Sequence, residues 1–333
     1  MTTQPPWLQA ARQLTGTTKI SVGERVQSLW SGYGEIVRAC LDGTPAIIKH
    51  VTPPSDTNHP RGWSTDRSHA RKLRSYQVEL AWYQQWGDRC SPHARIPGTI
   101  AATTLGNTGW LFVLEDLDHS GFPVRHQRLD ESGVRVCLNW LAGFHAAFLG
   151  ESPAGLWQTG TYWHLDTRPD EFDAMPAGPL KDAAHQIDQR LGNCRYKTFV
   201  HGDAKVANFC FAPDNTTVAA VDFQYVGAGC GIKDVAYFLG SCLDEHGCQR
   251  HAPHYLDFYF TALRNALNQK QPDVDPDDLE AEWRQLFPLA WTDFYRFLAG
   301  WCPSHPKMNP YSERLAQQVI TNLSPNPKRL TTK

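Results

Sequence analysis

His201, Asp203, Lys205 and Asn208 lie within residues 201–208, and Asp222 follows after a short stretch that reads as a hairpin. Together these side chains could run phosphoryl transfer. A carboxylate takes the proton of an attacking hydroxyl, a cation meets the moving phosphoryl group, and two oxygen-bearing side chains hold magnesium. On this reading Asp203 is the base, Lys205 the cation, and Asn208 and Asp222 the metal ligands.

The spacing must be delivered by local structure. Residues 208–211 read as a short strand, Pro213, Asp214 and Asn215 carry turn chemistry, and residues 218–221 read as the returning strand. A hairpin centred near Asn215 sets Asn208 and Asp222 opposite each other, at the roughly 4.5–5.5 Å typical of cross-strand Cα neighbours. Their oxygens could then share one hard cation. Asp203 precedes the hairpin, beside the metal without ligating it.

The elements upstream are mixed. Residues 25–30, 35–41 and 44–51 read as strands, with Asp42-Gly43 as a hairpin turn. Between the first two lies Ser31-Gly32-Tyr33-Gly34, readable as a phosphate-covering loop or as an ordinary turn. Lys49 ends an apolar run and, by itself, reads as a strand end in solvent. A helix is expected over residues 70–86, with Leu73, Tyr76, Leu80, Tyr83 and Trp86 on one stripe and Glu79 beside it. Residues 52–68 form a long proline-bearing loop that could be functional. Residues 110–114 form a buried strand leading into Glu115-Asp116-Leu117.

Residues 133–149 form an amphipathic helix whose apolar face carries His145, read as a core histidine. Trp163, His164 and Arg168 read as packing residues, and they become acceptor-site candidates only through the resemblance described below. Trp283, Phe287, Trp291 and Tyr295 recur at four-residue intervals over a helix at 278–301. They read as helix core or as an aromatic wall that could take a quaternary ammonium. The acidic residues at 273–278 read as a turn feeding that helix or as an attractant for a polycation.

The His-Gly-Asp-x-Lys-x-x-Asn segment followed by Asp-Phe-Gln resembles the aminoglycoside phosphotransferase, choline kinase and ecdysteroid kinase-like group of small-molecule kinases. Protein kinases carry H-R-D-x-K-x-x-N and then D-F-G. Glycine after the histidine and glutamine after Asp-Phe resemble the small-molecule branch, especially its ecdysteroid kinase-like members. Lys233-Asp234-Val235-Ala236-Tyr237-Phe238-Leu239 resembles that group's Asp-x-Ala-x-Phe-Leu segment, and the resemblance runs over residues 26–301.

The resemblance implies an α+β, protein-kinase-like two-lobed fold. Residues 1–117 would be a small β-rich nucleotide-binding lobe, and 118–333 a larger, mostly helical catalytic and acceptor-binding lobe. It implies ATP and Mg2+ as cofactors and a small-molecule alcohol as acceptor. Lys49 would reach the α- and β-phosphates with Glu79 holding it, Gly32 and Gly34 would cover the phosphates, and backbone at Glu115 and Leu117 would meet the adenine edge. Asp234 would open a helix and brace the catalytic loop, and His201 would buttress that loop. The rival readings are a silent kinase-fold ligand-binding protein and a protein kinase. Gln224 in place of the protein-kinase glycine argues against the latter's switch.

The bulk numbers agree with a folded chain of this size. The 333 residues are 41% hydrophobic and 20% charged. A net charge of −2 gives no electrostatic case for nucleic acid or an anionic membrane. No apolar run approaches the roughly 20 residues that span a bilayer, and residues 1–10 do not read as a secretory signal. Nine scattered cysteines read as free thiols in a reducing, cytoplasmic compartment. Cys242, His246, Cys248, His251 and His254 read as a helix end with incidental histidines or as a zinc site of unusual spacing.

Overall fold

The computed structural model describes residues 5–29, 32–53, 66–90 and 92–324. The loop at 52–68 therefore lies largely outside the described residues. In chain order the elements are α1 (Pro6–Thr15), β1 (Ile20–Ser28), β2 (Gly34–Leu41), β3 (Thr44–Val51), α2 (Asp66–Ala81), β4 (Thr99–Leu105) and β5 (Gly109–Glu115). There follow α3 (Glu131–Ala147), α4 (Pro169–Asp173), α5 (Pro179–Asp182), α6 (Ala184–Gly192), β6 (Thr198–Val200), β7 (Phe209–Phe211) and β8 (Val218–Ala220). The chain continues through β9 (Gly227–Gly229), α7 (Ile232–Cys242), α8 (Glu245–Lys270), α9 (Pro276–Trp301) and α10 (Pro310–Leu323). They form two compact units. The first comprises Met1–His126, Ala154–Leu156 and Ala207–Tyr225, and the second Gln127–Pro153, Trp157–Val206 and Val226–Lys333.

The first unit is built on an antiparallel sheet of order β1-β2-β3-β5-β4. Asp42 (φ 47°) and Gly43 (φ 96°) both take the left-handed conformation that a two-residue hairpin between β2 and β3 requires. Side chains alternate across the sheet. Val37, Ala39, Ala46 and Ile48 point to the face that α1 covers with Leu8 and Ala11. Lys49, next after Ile48, is thereby turned to the opposite face. Strand β1 begins at Ile20, earlier than the alternation at 25–30 predicts. It is an exposed, bulged edge strand, so little apolar patterning marks its start.

Helix α2 also starts earlier than expected, at Asp66, and its end departs from a single helical period. Trp82–Trp86 wind as a π-turn, closed by Gly87 N–H donating to the Trp82 carbonyl. The β7–β8 hairpin belongs to this unit as well. Arg95 bridges to Ala219, and Val124 to Phe211.

The second unit is mostly helical. Asp130 caps α3 by accepting from Gly133 N–H, and Asp275 caps α9 by accepting from Asp277 and Asp278 N–H. The acidic run at 273–278 is therefore a helix start. A fully buried ionic cluster ties α7 to α9. Asp293 sits 3.3 Å from Lys233 Nζ and 2.8 Å from Arg296 Nη2, and it accepts from Trp163 Nε1 at 3.0 Å. Trp283, Phe287 and Trp291 of the α9 stripe are buried, and Trp283 and Trp291 donate to the Tyr196 carbonyl and to Ser312 Oγ. Those three are helix core, whereas Tyr295 is only half-buried.

Candidate active site

In the first unit Lys49 Nζ lies 2.7 Å from both carboxylate oxygens of Glu79. The lysine and glutamate are 5% and 2% exposed, so a bare charge of either kind would be costly here. Glu79 lies on α2 and Lys49 on the sheet face opposite α1. The Tyr76 and Phe112 rings flank the ammonium at 5.5 and 5.7 Å. Burial pushes the Glu79 carboxyl above its ordinary range. Lys49 opposes that push, while the charge of Asp222 adds to it.

The Asp-Phe-Gln segment is fastened to α2. Phe223 stacks on Trp82 at 4.5 Å, a contact made at the π-turn, and meets the Tyr83 edge at 6.2 Å. Gln224 Oε1 accepts from Lys72 Nζ at 2.9 Å and from Ser75 Oγ at 3.1 Å. Lys72 and Ser75 carried no signal in the sequence. They lie one or two turns before Glu79 on a helix whose partner segment is some 150 residues away in the chain.

Asn208 and Asp222 flank the base of the β7–β8 hairpin, but they are not paired across it. The ladder runs Phe209↔Ala220, Cys210↔Ala219 and Phe211↔Val218. Val221 N–H donates to the Asn208 carbonyl at 3.0 Å, so Asn208 faces Val221. The predicted register was one residue off because the loop is even-numbered. Ala212 N–H closes on the Thr217 carbonyl, which centres the turn between Asp214 and Asn215. Asn208 ends a short 3-10 turn, Val206–Asn208, and is buried. Asp222 takes a left-handed conformation (φ 72°), which aspartate tolerates better than most residues. One carboxylate and one amide oxygen fit magnesium that arrives with phosphate oxygens, since magnesium commonly takes only one or two protein carboxylates.

The other first-unit candidates make mainly structural contacts. Gly34 (φ 132°) lets β2 approach β3, because a Cβ there would overlap the His50 carbonyl. Leu29 N–H donates to the Gly34 carbonyl, and Gly32 N–H to the Leu29 carbonyl. The Glu115 side chain pairs with Arg95 and accepts from Gly98 N–H at 2.8 Å. Leu117 is buried against Cys210 and Ala219. Asp116 accepts two hydrogen bonds from Arg38, at 2.9 and 2.8 Å.

In the second unit Asp203 has both oxygens engaged. Oδ2 accepts from Lys205 Nζ at 2.7 Å, and Oδ1 accepts from Tyr237 Oη at 3.0 Å. Burial, and then the Asp203 charge, push the Tyr237 phenol far above its ordinary value, so it stays a donor. The loop carrying Asp203 is held by Asp234, which is fully buried. Its carboxylate accepts from His201 N–H at 2.6 Å and Gly202 N–H at 3.0 Å, and contacts His145 Nε2 at 3.2 Å. Asp234 lies in the first turn of α7 and its carboxylate braces the loop, as the resemblance implied, but it does not cap its own helix, and its own N–H bonds the Gly231 carbonyl. Gly202 (φ 79°) sits where a side chain would be strained, which accounts for glycine after the histidine.

His201 is buried, accepts from Asp203 N–H through Nδ1 at 3.3 Å, and meets the Trp140 edge at 6.1 Å. His145, with Tyr259 Oη at 2.7 Å, is a satisfied core residue. Trp163 is buried, His164 contacts Asp188 at 3.2 Å, and Arg168 contacts Glu171 at 2.9 Å. All three have internal partners. Among the described residues, no group of three or more His, Cys, Asp or Glu side chains assembles as a metal site, and His246 accepts from Arg250 instead.

Two residues near Asp203 carried no functional signal in the sequence. Tyr162 stacks edge-on with Tyr237 at 5.7 Å, and Lys307 places Nζ 5.0 Å from the Tyr237 ring centroid. Thr161, which precedes Tyr162, is held at φ 99°, a conformation unusual for a β-branched residue.

Residues 180–271, which contain both Asp203 and Asp222, match the ecdysteroid kinase-like family model. No curated protein sequence matches the chain. Among solved structures, a Ralstonia eutropha protein described as an aminoglycoside phosphotransferase superposes with a TM-score of 0.52 at 13% identity, covering 95% of this chain and 94% of that one. The microcompartment-associated aminopropanol kinase gives 0.50 at 15% identity, over 94% and 93%. Amicoumacin kinase hAmiN, solved with AMP-PNP, Ca2+ and Ami, gives 0.51 at 13% identity, over 96% and 94%. The fold is the protein-kinase-like fold that these solved structures share, and the motif lies within the residues that match the ecdysteroid kinase-like model.

Proposed function

We propose that the chain is an ATP-dependent, magnesium-requiring O-phosphotransferase acting on a hydroxyl of a small molecule. The observation that supports this most directly is the state of Asp203. Its carboxylate is braced through Asp234, oriented by Tyr237 and paired with Lys205. A carboxylate so fixed can accept the acceptor's proton along one direction, and orientation counts for more than basicity in phosphoryl transfer. Lys205, whose side chain is 40% exposed, would meet the transferring phosphoryl group beside Asp203. Lys49, held by Glu79, would contact the nucleotide phosphates, and backbone at Glu115 and Leu117 the adenine. Asn208 and Asp222 would hold magnesium, which supplies charge neutralisation on the phosphates. AMP-PNP and a divalent cation in the amicoumacin kinase support a nucleotide and a metal here. The nine cysteines are all free, which supports a reducing compartment such as the cytoplasm.

The test is ADP release from ATP and magnesium with a panel of alcohols, with product mass read in parallel. Asp203→Asn should lower turnover by about 10²–10⁴-fold and leave ATP binding near wild type. Asp222→Asn should weaken metal-nucleotide binding as well. Wild-type turnover in Asp203→Asn would refute the assignment.

A further inference from the structure

Lys307 is an unusual lysine. It lies in the connection between α9 and α10, and that backbone is pinned. His305 N–H bonds the Cys302 carbonyl, Met308 N–H bonds the His305 carbonyl, and Lys307 N–H bonds His305 Nδ1. The ammonium is half-buried between two aromatic faces, 5.0 Å from the Tyr237 centroid and 5.2 Å from that of Phe294. Among the described residues it makes no hydrogen bond and no ion pair. Lys307 also lines a small, mainly apolar cavity with Ala236, Gly240, Trp291 and Leu298.

A partly desolvated ammonium without an anion is costly. Burial pushes the Lys307 pKa down to about 8, with Asp203, Cys242 and Cys248 opposing the shift and Lys205 adding to it. The two thiols supply no charge at neutral pH, because burial pushes each up to about 12. Asp203 is then the carboxylate that acts most strongly on Lys307, and it is already paired with Lys205 at 2.7 Å. Tyr237 links the two groups, since its hydroxyl bonds Asp203 while its ring face carries Lys307.

We propose that Lys307 is an acceptor-binding residue, forming with Tyr237 and Phe294 a subsite for an anionic group, foremost a carboxylate, on the alcohol whose hydroxyl Asp203 receives. The proposal rests on the reading of Asp203 as the base. It assigns the acceptor class as hydroxy acids whose hydroxyl and carboxylate are separated by about the span of one tyrosine ring. It disfavours choline-like and aminoglycoside acceptors, whose cationic groups would meet a like charge.

Three matched probes test it: 4-(hydroxymethyl)benzoate, 4-(hydroxymethyl)benzamide and 4-(aminomethyl)benzyl alcohol. Their binding to the full chain is followed by tryptophan fluorescence without nucleotide, and phosphate transfer from ATP is measured alongside. The wild type should bind the benzoate tightest and the amine weakest. Lys307→Met should weaken benzoate binding by roughly ten- to a hundredfold, the range for one hydrogen bond to a charged group, and leave the benzamide nearly unchanged. Lys307→Arg should keep the order. In transfer assays Lys307→Met should raise the benzoate KM and not the ATP KM.

Equal affinity for the three probes, no binding of any, or unchanged benzoate binding in Lys307→Met would overturn the proposal. A raised ATP KM with an unchanged benzoate KM would do so too, since the anion would then be a nucleotide phosphate. Charge-ordered binding without any transfer would leave Lys307 in its role and remove the kinase reading. Transfer that ignores charge would do the reverse.

Discussion

The Lys49–Glu79 pair sets up the sharpest test, because its two partners can be removed singly or together. Both are almost fully buried and joined by two 2.7 Å contacts. Removing one partner of such a pair typically costs about 3–5 kcal/mol, because it strands the other charge, whereas replacing both with apolar groups is often neutral. Two features soften the loss in Lys49→Met. Lys72 also acts on Glu79 electrostatically, and the Glu79 carboxyl already titrates above its ordinary range because of burial. The expected cost is therefore near the lower end, about 3 kcal/mol. Lys49→Met combined with Glu79→Met should recover at least about 2 kcal/mol of it.

The pH dependence has a definite sign. Without Lys49 the folded-state pKa of Glu79 rises further above the unfolded value of about 4.5. The deficit of the single variant should then be small below that value and open as pH rises through the range between the two folded-state pKa values. Urea unfolding of the three proteins at several pH values measures this, provided the m-values agree. Activity adds a second axis, because the double variant should be as stable as wild type and yet bind ATP poorly. A single variant within 1 kcal/mol of wild type, or a double variant no more stable than the single, would refute the reasoning.

Tyr237→Phe removes one donor from Asp203 and should lower kcat by at least about tenfold with little change in either KM, the loss expected for one hydrogen bond to a charged group. The acidic limb of its pH–rate profile should move upward, because the charged carboxylate loses support. Asp293→Asn should cost about 3–5 kcal/mol by leaving Lys233 and Arg296 buried without their anion, as read from denaturant unfolding. Burial works to raise the Asp293 pKa, but Lys233 and Arg296 outweigh it and hold the carboxyl down to about 2. Its stabilising contribution is thus fully present above about 3.8 and lost as pH falls toward 2, so Asp293→Asn should flatten that part of the acid-unfolding curve. Thr161→Gly should raise stability by about 1 kcal/mol. Relief of a strained left-handed residue is worth about 1–3 kcal/mol, and the entropy of glycine returns roughly 0.5–1 of it.

What the sequence disclosed and what it hid follow from the range of the forces involved. Local signals were legible. Asp42-Gly43 marks its hairpin, and the α3 stripe marks its helix to within two residues at each end. Lys49 and Glu79 could be paired only through the resemblance, since a strand lysine and a helix glutamate 30 residues apart share no local pattern. The β7–β8 register was missed by one residue because turn composition does not distinguish an odd loop from an even one. Lys307 was invisible for a stronger reason. Its environment is made by residues of α7 and α9 that are distant in the chain, and nothing in Ser304-His305-Pro306-Lys307 announces a charged group seated between aromatic rings.

The motif that looks continuous in the sequence is divided in the structure, and the division bears on how such a chain could vary its substrate. Val206 ends a segment of the second unit and Ala207 begins a segment of the first, so Asp203 and Lys205 belong to one unit and Asn208 and Asp222 to the other. The first unit also holds Lys49, Glu79, Lys72 and Gln224, which are the groups assigned to phosphate and metal or tied to them. There the segment after Asp222 is fixed to α2 through Phe223 and Gln224. A glutamine so bonded replaces the conformational freedom of a glycine with a tether, which suits a site that need not switch. The second unit holds Asp203, the proposed base, together with Tyr162, Tyr237, Phe294 and Lys307. Tyr237 bonds Asp203, and Tyr162, Phe294 and Lys307 pack around the Tyr237 ring. On the proposed reading, substitution of Phe294 or Lys307 should change which acceptor is taken while the ATP KM stays unchanged, whereas substitution of Tyr237 also lowers kcat.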